Sequence, residues 1–152
     1  MKPTRPSDDR LNGPGPDAPQ APPVAMAAGL ATLELLQADG FYENLESVSA
    51  SLEAGLRGAA GAAGLGSKVC FNRVGSMLCC FFTPGPVTDY ASATASNTKA
   101  FAAYFHAMLE AGVYLPPSAF EALFVSAAHG QAEVEQTVAA ARGAFEAAAG
   151  LM

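Results

Sequence analysis

A chain of 152 residues, 51% of them apolar, is long enough for one domain with a sizeable core plus a tail. Its formal net charge of -6 argues against nucleic-acid backbones and anionic membranes as partners. Cys70, Cys79 and Cys80 form no disulfide framework and fit a reducing cytoplasm, no apolar run approaches the roughly 20 residues of a membrane helix, and the N-terminus lacks a signal-peptide core.

Residues 1–23 hold seven of the eleven prolines and, after Met1, a single large aliphatic residue, Leu11. Such a segment cannot bury enough surface to offset its ordering entropy, so it reads as a disordered or polyproline-like tail. Its charges cancel: Lys2, Arg5 and Arg10 stand against Asp8, Asp9 and Asp17, and the body from residue 24 carries the whole -6.

From residue 24 the pattern turns helical, with Pro23 suited to a helix start and Met26, Leu30, Leu33 and Leu35 or Leu36 forming a stripe that Asp39-Gly40 ends. The next helix carries Phe41, Leu45, Val48, Leu52 and Leu56 at steps of three and four, with Glu43, Glu46 and Glu53 off the stripe, and is expected to fade between Gly58 and Gly66. Lys68 to Thr83 reads as two strands around Gly75-Ser76, with Met77 to Phe82 buried on both faces. Val87 to Ala95 reads as a loop anchored by Tyr90. Ser96 or Asn97 caps a helix whose stripe is Phe101, Phe105, Met108 and Leu109, and Gly112 stops it. Strands are expected at Val113-Tyr114-Leu115 and from Phe120 to Ser126, broken by Pro116-Pro117. A last helix starts at His129 or Gly130, with Glu133 in its first turn and Val134, Val138, Ala141 and Phe145 inward. This order predicts an α+β fold: a small, mostly antiparallel sheet covered by helices.

The glycines from Gly58 to Gly66 lack the preceding strand and following Lys-Ser/Thr of a phosphate loop, so a helix end is the better reading. Cys79 and Cys80 point to opposite faces of a strand and cannot converge on one metal; with only His106 and His129 besides, the thiols read as inert core groups. His106 reads as packed or at the surface, and His129, between strand and helix, as structural. Ser118 and Ser126 have no Asp-His arrangement, which gives a serine hydrolase no support. Glu121 is a carboxylate inside an apolar run. It is either a strand-end group reaching solvent or a side chain placed for chemistry, and periodicity does not choose.

Four stretches in order and register resemble the glutamate-1-semialdehyde 2,1-aminomutase family. They are Val24-Ala25-Met26-Ala27-Ala28-Gly29; Arg73-Val74-Gly75-Ser76-Met77 with Phe81-Phe82-Thr83; Phe105-His106-Ala107-Met108-Leu109-Glu110; and residues 112–122, running on to Ser126-Ala127-Ala128-His129. The resemblance covers residues 23–150. It implies the C-terminal small domain of a fold-type-I, class-III aminotransferase-like enzyme, residues 24–152 here. In that family a two-domain subunit forms a homodimer. It uses pyridoxal phosphate to move an amino group within its substrate, giving 5-aminolevulinate for tetrapyrrole (porphyrin) synthesis.

The family's Schiff-base lysine and ring contacts lie on its large domain. Here Lys2 is in the tail, Lys68 borders a turn and Lys99 is in an exposed helical turn, so none has a desolvated setting for imine chemistry. The family also enters its first small-domain helix through a Gly-Thr-x-Ser-Gly-Asn-Pro turn whose Thr reaches the cofactor phosphate across the dimer. This chain has Asp17, Ala18, Pro19, Gln20, Ala21, Pro22 and Pro23 there, and only the last proline agrees. By resemblance Glu121 is a substrate-side residue. Related transaminases commonly place there an arginine that grips an α-carboxylate, which a glutamate cannot do. Leu123 stands where the family pattern leads one to expect glycine, and Gly130 replaces a hydroxyl N-cap. The resulting expectation is a fragment that is not catalytic by itself and binds no pyridoxal phosphate alone. The alternative is a docking or dimerisation module, or one half of a split enzyme, whose partner is a large-domain or full-length aminomutase subunit. The proline-rich start also fits a frame-shifted beginning.

Overall fold

The computed structural model describes residues 22–152, so nearly all of the tail expected at 1–23 lies outside the described residues. The chain divides into two units, Met1–Ala38 and Asp39–Met152. The first contains helix α1 (Pro23–Leu36), which begins with Pro23 in its first turn and has no buried residue.

In the second unit Gly40, at φ +78°, precedes α2 (Phe41–Ala62). Leu52 and Leu56 of the expected stripe are buried, with Leu45 and Val48 packed at the core's edge. The helix does not fade at Gly58. Ala59 and Ala60 face the core while Gly58 and Gly61 face water, and the chain leaves the helix only at Gly64, φ +74°.

β1 (Cys70–Val74) and β2 (Met77–Phe81) pair antiparallel across Gly75, whose φ of +55° suits the turn. β3 (Leu123–Phe124) adds to β2 with Leu78 opposite Leu123, in sheet order β1-β2-β3. The α+β expectation holds: a small antiparallel sheet with helices around one core. Burial of the Met77–Phe82 run on both faces does not hold along its length. Leu78 and Phe82 enter the core, whereas Met77 is exposed beside Val74 and Phe124, the last at 66%.

Three local expectations are corrected. Val87–Ala95 is not all loop: it holds α3 (Tyr90–Thr94), started by Asp89, whose carboxylate accepts from Ser92 N at 2.8 Å. Tyr90 is 85% exposed and anchors nothing; Val87 is the buried residue. In α4 (Thr98–Glu110), capped by Asn97 Oδ1 accepting from Lys99 N and Ala100 N, the buried line is Ala100, Tyr104 and Met108, and Leu109 is exposed. Val113-Tyr114-Leu115 is no strand. Val113 N donates back to Met108 O at 2.9 Å, closing the end of α4, and Pro116-Pro117 supply no backbone donors.

The last helix, α5 (Gln131–Ala149), opens with Glu133 Oε2 accepting from Gly130 N at 2.8 Å and buries Val134, Ala141 and Phe145 as expected, with Val138 half-buried. It packs against both α2 and α4. At the centre the Tyr104 ring lies 4.6 Å from Phe145 and 5.5 Å from Phe82, and Phe145 also meets Phe71 edge-on at 6.2 Å. Each such pair adds about 0.5–1.5 kcal/mol beyond the area it buries.

Arginines tie α2 to the sheet. Arg73 donates to Glu53 at 2.7 Å and with two nitrogens to Glu46, at 2.9 and 2.8 Å. Arg57 joins Glu53 to the Phe71 carbonyl and lies 5.0 Å over the Phe71 ring. Partial burial pushes Glu53 up, but hydrogen bonds from Arg73 and Arg57 outweigh it and hold its carboxyl below the usual range. Glu46 is also held down, chiefly by its hydrogen bond from Arg73.

Two expectations follow from this packing. A Cβ on Gly55 would collide with Val138 Cγ2, whereas Gly58 on the same helix has open space. Gly55→Ala should therefore cost about 1–3 kcal/mol in urea unfolding, partly recovered with Val138→Ala. Gly58→Ala should instead stabilise by up to about 1 kcal/mol. Carboxyls held low in the fold add stability above their unfolded value near 4.5 and lose it as pH falls through the folded value. Arg73→Leu should thus be less stable than the parent at pH 7, and the gap should close in melts taken progressively below pH 4.5.

Candidate functional site

The candidate segment starts where α4 ends. Gly112 takes φ +84° and its N–H donates to Leu109 O at 3.0 Å, a conformation that a side chain would strain. The chain then alternates between core and water. Val113 and Leu115 pack against the core, Pro116-Pro117 redirect the backbone, and Ser118 to Glu121 form a turn closed by Glu121 N donating to Ser118 O at 3.2 Å. Leu123 returns to the core side of the sheet, and Val125, buried, donates its N–H to Ser76 O.

Glu121 is exposed, and its setting is a turn, not the strand its alternation suggested. Its Oε2 accepts from Ser118 N at a long 3.4 Å, and its carbonyl meets the Cys79 thiol at 3.5 Å, which pins the turn to β2. Among the described residues no cation pairs with it. Glu121 also lines a cavity of about 20 Å³, together with Cys80, Tyr104, Leu115, Ser118 and Leu123. Both readings of this residue thus meet in one place: it touches water and borders a small, mainly apolar space. A larger cavity of about 110 Å³ adjoins it, sharing Leu56, Tyr104, Leu115 and Leu123 as walls and opening toward His129 and Thr137.

The other candidates have local roles. His129 Nδ1 accepts from Ser126 N at 2.9 Å and lies 3.1 Å from Ser126 Oγ, so the ring closes the turn before α5. With Nδ1 taking an N–H, the neutral ring carries its proton on Nε2. His106 is exposed, edge-on to Phe105 at 5.5 Å. Among the described residues no three His, Cys, Asp or Glu side chains gather as a metal site. Burial raises the Cys80 thiol strongly, with smaller pushes from Cys70 and Cys79, and burial raises Cys79 as well.

Lys68 and Lys99 are both exposed; Lys68 Nζ reaches the Met152 carbonyl at 3.5 Å. Neither is enclosed by apolar groups. The arginine–glutamate network and the buried Tyr104 escaped sequence reasoning. The signal for the network was the pair of acidic residues on one side of α2, Glu46 and Glu53, together with Arg73 on the strand that follows.

No family model matches the chain. It is 57% identical over 126 residues to the glutamate-1-semialdehyde 2,1-aminomutase of Pelotomaculum thermopropionicum, covering 83% of this chain and 29% of the relative. The aminomutases of an Anaeromyxobacter species and of Sorangium cellulosum are 56% and 51% identical, over 84% and 82% of this chain and 29% and 28% of theirs. The matched part is their C-terminal portion. Among solved structures, the FumI protein of a Sphingopyxis species in its PLP internal aldimine form superposes with a TM-score of 0.64 at 28% identity, over 82% of this chain and 27% of that one. An omega-transaminase from Sphaerobacter thermophilus has a TM-score of 0.71 at 22% identity, over 90% and 30%, a likeness of fold. The chain thus spans less than a third of the length of these relatives.

The thiol environments lead to a chemical test. Cys80 should react with iodoacetamide at least about tenfold more slowly in the native chain than in the urea-unfolded chain, because the thiolate is the reacting form. Peptide mass spectrometry of timed samples measures this; equal rates in both states would contradict the buried thiol.

Proposed function

We propose that this chain, a relative over 83% of its length of the C-terminal portion of the glutamate-1-semialdehyde 2,1-aminomutases, serves as the C-terminal small domain of an aminomutase-type enzyme. Residues 24–152 are the domain and 1–23 a tail. The complete enzyme is a cytoplasmic homodimer that transfers an amino group within its substrate to give 5-aminolevulinate for tetrapyrrole synthesis. A large domain holds the pyridoxal phosphate, and these residues alone are not catalytic.

The observation that carries this reading is the setting of Glu121: an exposed carboxylate on a turn fixed between β2 and the end of α4, with no cation paired to it among the described residues. The turn presents negative charge at the edge of a mainly apolar space. A substrate carboxylate is repelled there, whereas an uncharged aldehyde end is not. The cofactor, bound on the large domain, supplies the electron sink for amine chemistry. The part of this chain is to orient Glu121 beside the apolar wall formed by Leu115, Pro116 and Leu123.

A second reading, a docking module or half of a split enzyme, is favoured by α1. Val24, Met26, Leu30, Leu33 and Leu35 are all exposed on a helix without a buried residue. Such an apolar surface suits a protein partner, and an aminomutase large domain or full-length subunit is the partner this reading requires.

Borohydride reduction of the chain with pyridoxal phosphate, followed by mass spectrometry, should trap no specific imine on Lys2, Lys68 or Lys99. Mixing it with an aminomutase large-domain fragment should restore 5-aminolevulinate formation, and Glu121→Ala should lower that activity by up to about 100-fold through loss of substrate positioning. A site-specific imine on the isolated chain would sink the first expectation. Failure of the mixture to associate would sink the second reading.

A further inference from the structure

Tyr104 is 2% exposed, and its ring is held between Phe82 and Phe145. Its hydroxyl makes no hydrogen bond to any described residue, yet it is not sealed off; among the described residues Ser96 Oγ is the only buried side-chain oxygen both sealed and unpartnered. The hydroxyl is thus not sealed off, and Tyr104 is a wall shared by the two cavities of the candidate site. Burial keeps the phenol neutral far above ordinary pH, so it retains a proton to donate.

The smaller cavity is lined by Tyr104 together with two further polar residues, Ser118 and Glu121. Ser118 Oγ accepts from Phe120 N at 3.3 Å, which leaves its hydroxyl hydrogen free to donate. Glu121 uses one carboxylate oxygen, weakly, on Ser118 N, and the other has no partner among the described residues. A buried water needs about 10–15 Å³ and two to four polar partners. The cavity measures about 20 Å³ and has Tyr104, Ser118 and Glu121 in its wall. Leaving a buried tyrosine hydroxyl unpaired is costly, and one water relieves it.

We propose that this cavity is a binding site for one ordered water that joins the Tyr104 hydroxyl to Ser118 and the Glu121 carboxylate, making Tyr104 a positioning residue for Glu121. The water links the rigid aromatic core to a turn otherwise held by its own local hydrogen bonds, of 3.2 to 3.4 Å, and the Cys79 contact. It accepts from Tyr104 and donates to the carboxylate, which fixes one orientation of a side chain that solvent would otherwise leave free. That Glu121 faces a substrate rests on the function proposed above; the water does not.

The test uses the full 152-residue chain. A high-resolution crystal structure, or water–protein NOE spectra, should find one long-lived water beside the Tyr104 hydroxyl; a dry or collapsed space overturns the proposal. Tyr104→Phe keeps the ring packing. It should lower the melting midpoint by about 2–4 °C and speed amide exchange at Glu121 roughly fivefold. In a double-mutant cycle Ser118→Ala should lose much of its effect once Tyr104 is Phe. An equal or higher midpoint with unchanged exchange, or strict additivity, would show a hydroxyl without a bridge. If Tyr104→Phe fails to fold, the wild-type water measurement still decides. A water found beside an inactive large-domain mixture would count against the proposed function alone; a dry cavity in an active mixture would count against this inference alone.

Discussion

The contact between the rings of Tyr104 and Phe145, 4.6 Å apart, is the constraint on which the second unit depends. It joins α4 to α5 at the point where Phe82 comes off the end of β2 and Phe71 rises from β1. Around it α5 is built from alanine, and Ala141, Ala144 and Ala148 are buried. Small residues bury little area themselves, but they let a helix approach closely enough for the larger rings to interlock. The alanine-rich composition is thus compatible with a dense core because aromatic residues, with Leu56, Leu65, Leu78 and Met108, supply the large buried side chains.

Electrostatics supplements this core at one edge. Arg73 has a side chain only 17% exposed and holds two carboxylates from α2, while Arg57 uses the second oxygen of Glu53 and a strand carbonyl. Isolated surface pairs contribute little, but a bidentate contact within a shared network, partly shielded from water, orders its members more strongly. The network sets where β1 sits on α2, and β1 sets β2 by register. β2 in turn receives Glu121 through Cys79 and β3 through Leu78. The candidate carboxylate is therefore positioned by a chain of contacts that begins with side chains on the opposite edge of the sheet.

The parts legible in the sequence were those whose signal is local. The stripe on α2, the hairpin at Gly75, the Asn97 cap and the first-turn Glu133 each arise from residues within a turn or two of one another. Where the reading failed, the cause was distant or degenerate. Tyr104 and Phe105 are adjacent aromatics about 100° apart on a helix, and periodicity cannot say which faces inward. Val113-Tyr114-Leu115 has strand composition, but its first N–H is taken by the helix before it. Glu46 and Glu53 resemble a solvated face because Arg73 lies 27 and 20 residues away. Glu121 was visible as an anomaly from the start. Its turn and its cavity depend on β2 and α4, which no local pattern near residue 121 encodes.

The sheet's outer row of Val74, Met77 and Phe124 has a practical consequence for anyone handling this chain. These three side chains sit in register across all strands, so they form a flat greasy ledge with β1 as an open border. Concentrated samples should be most prone to clumping through this ledge. Met77, at its centre, is also the place where peroxide would change that behaviour: a sulfoxide there turns the ledge polar without disturbing the rings beneath. A mass increase of one oxygen on Met77 would accordingly mark preparations that stay clear for a reason unrelated to their folding.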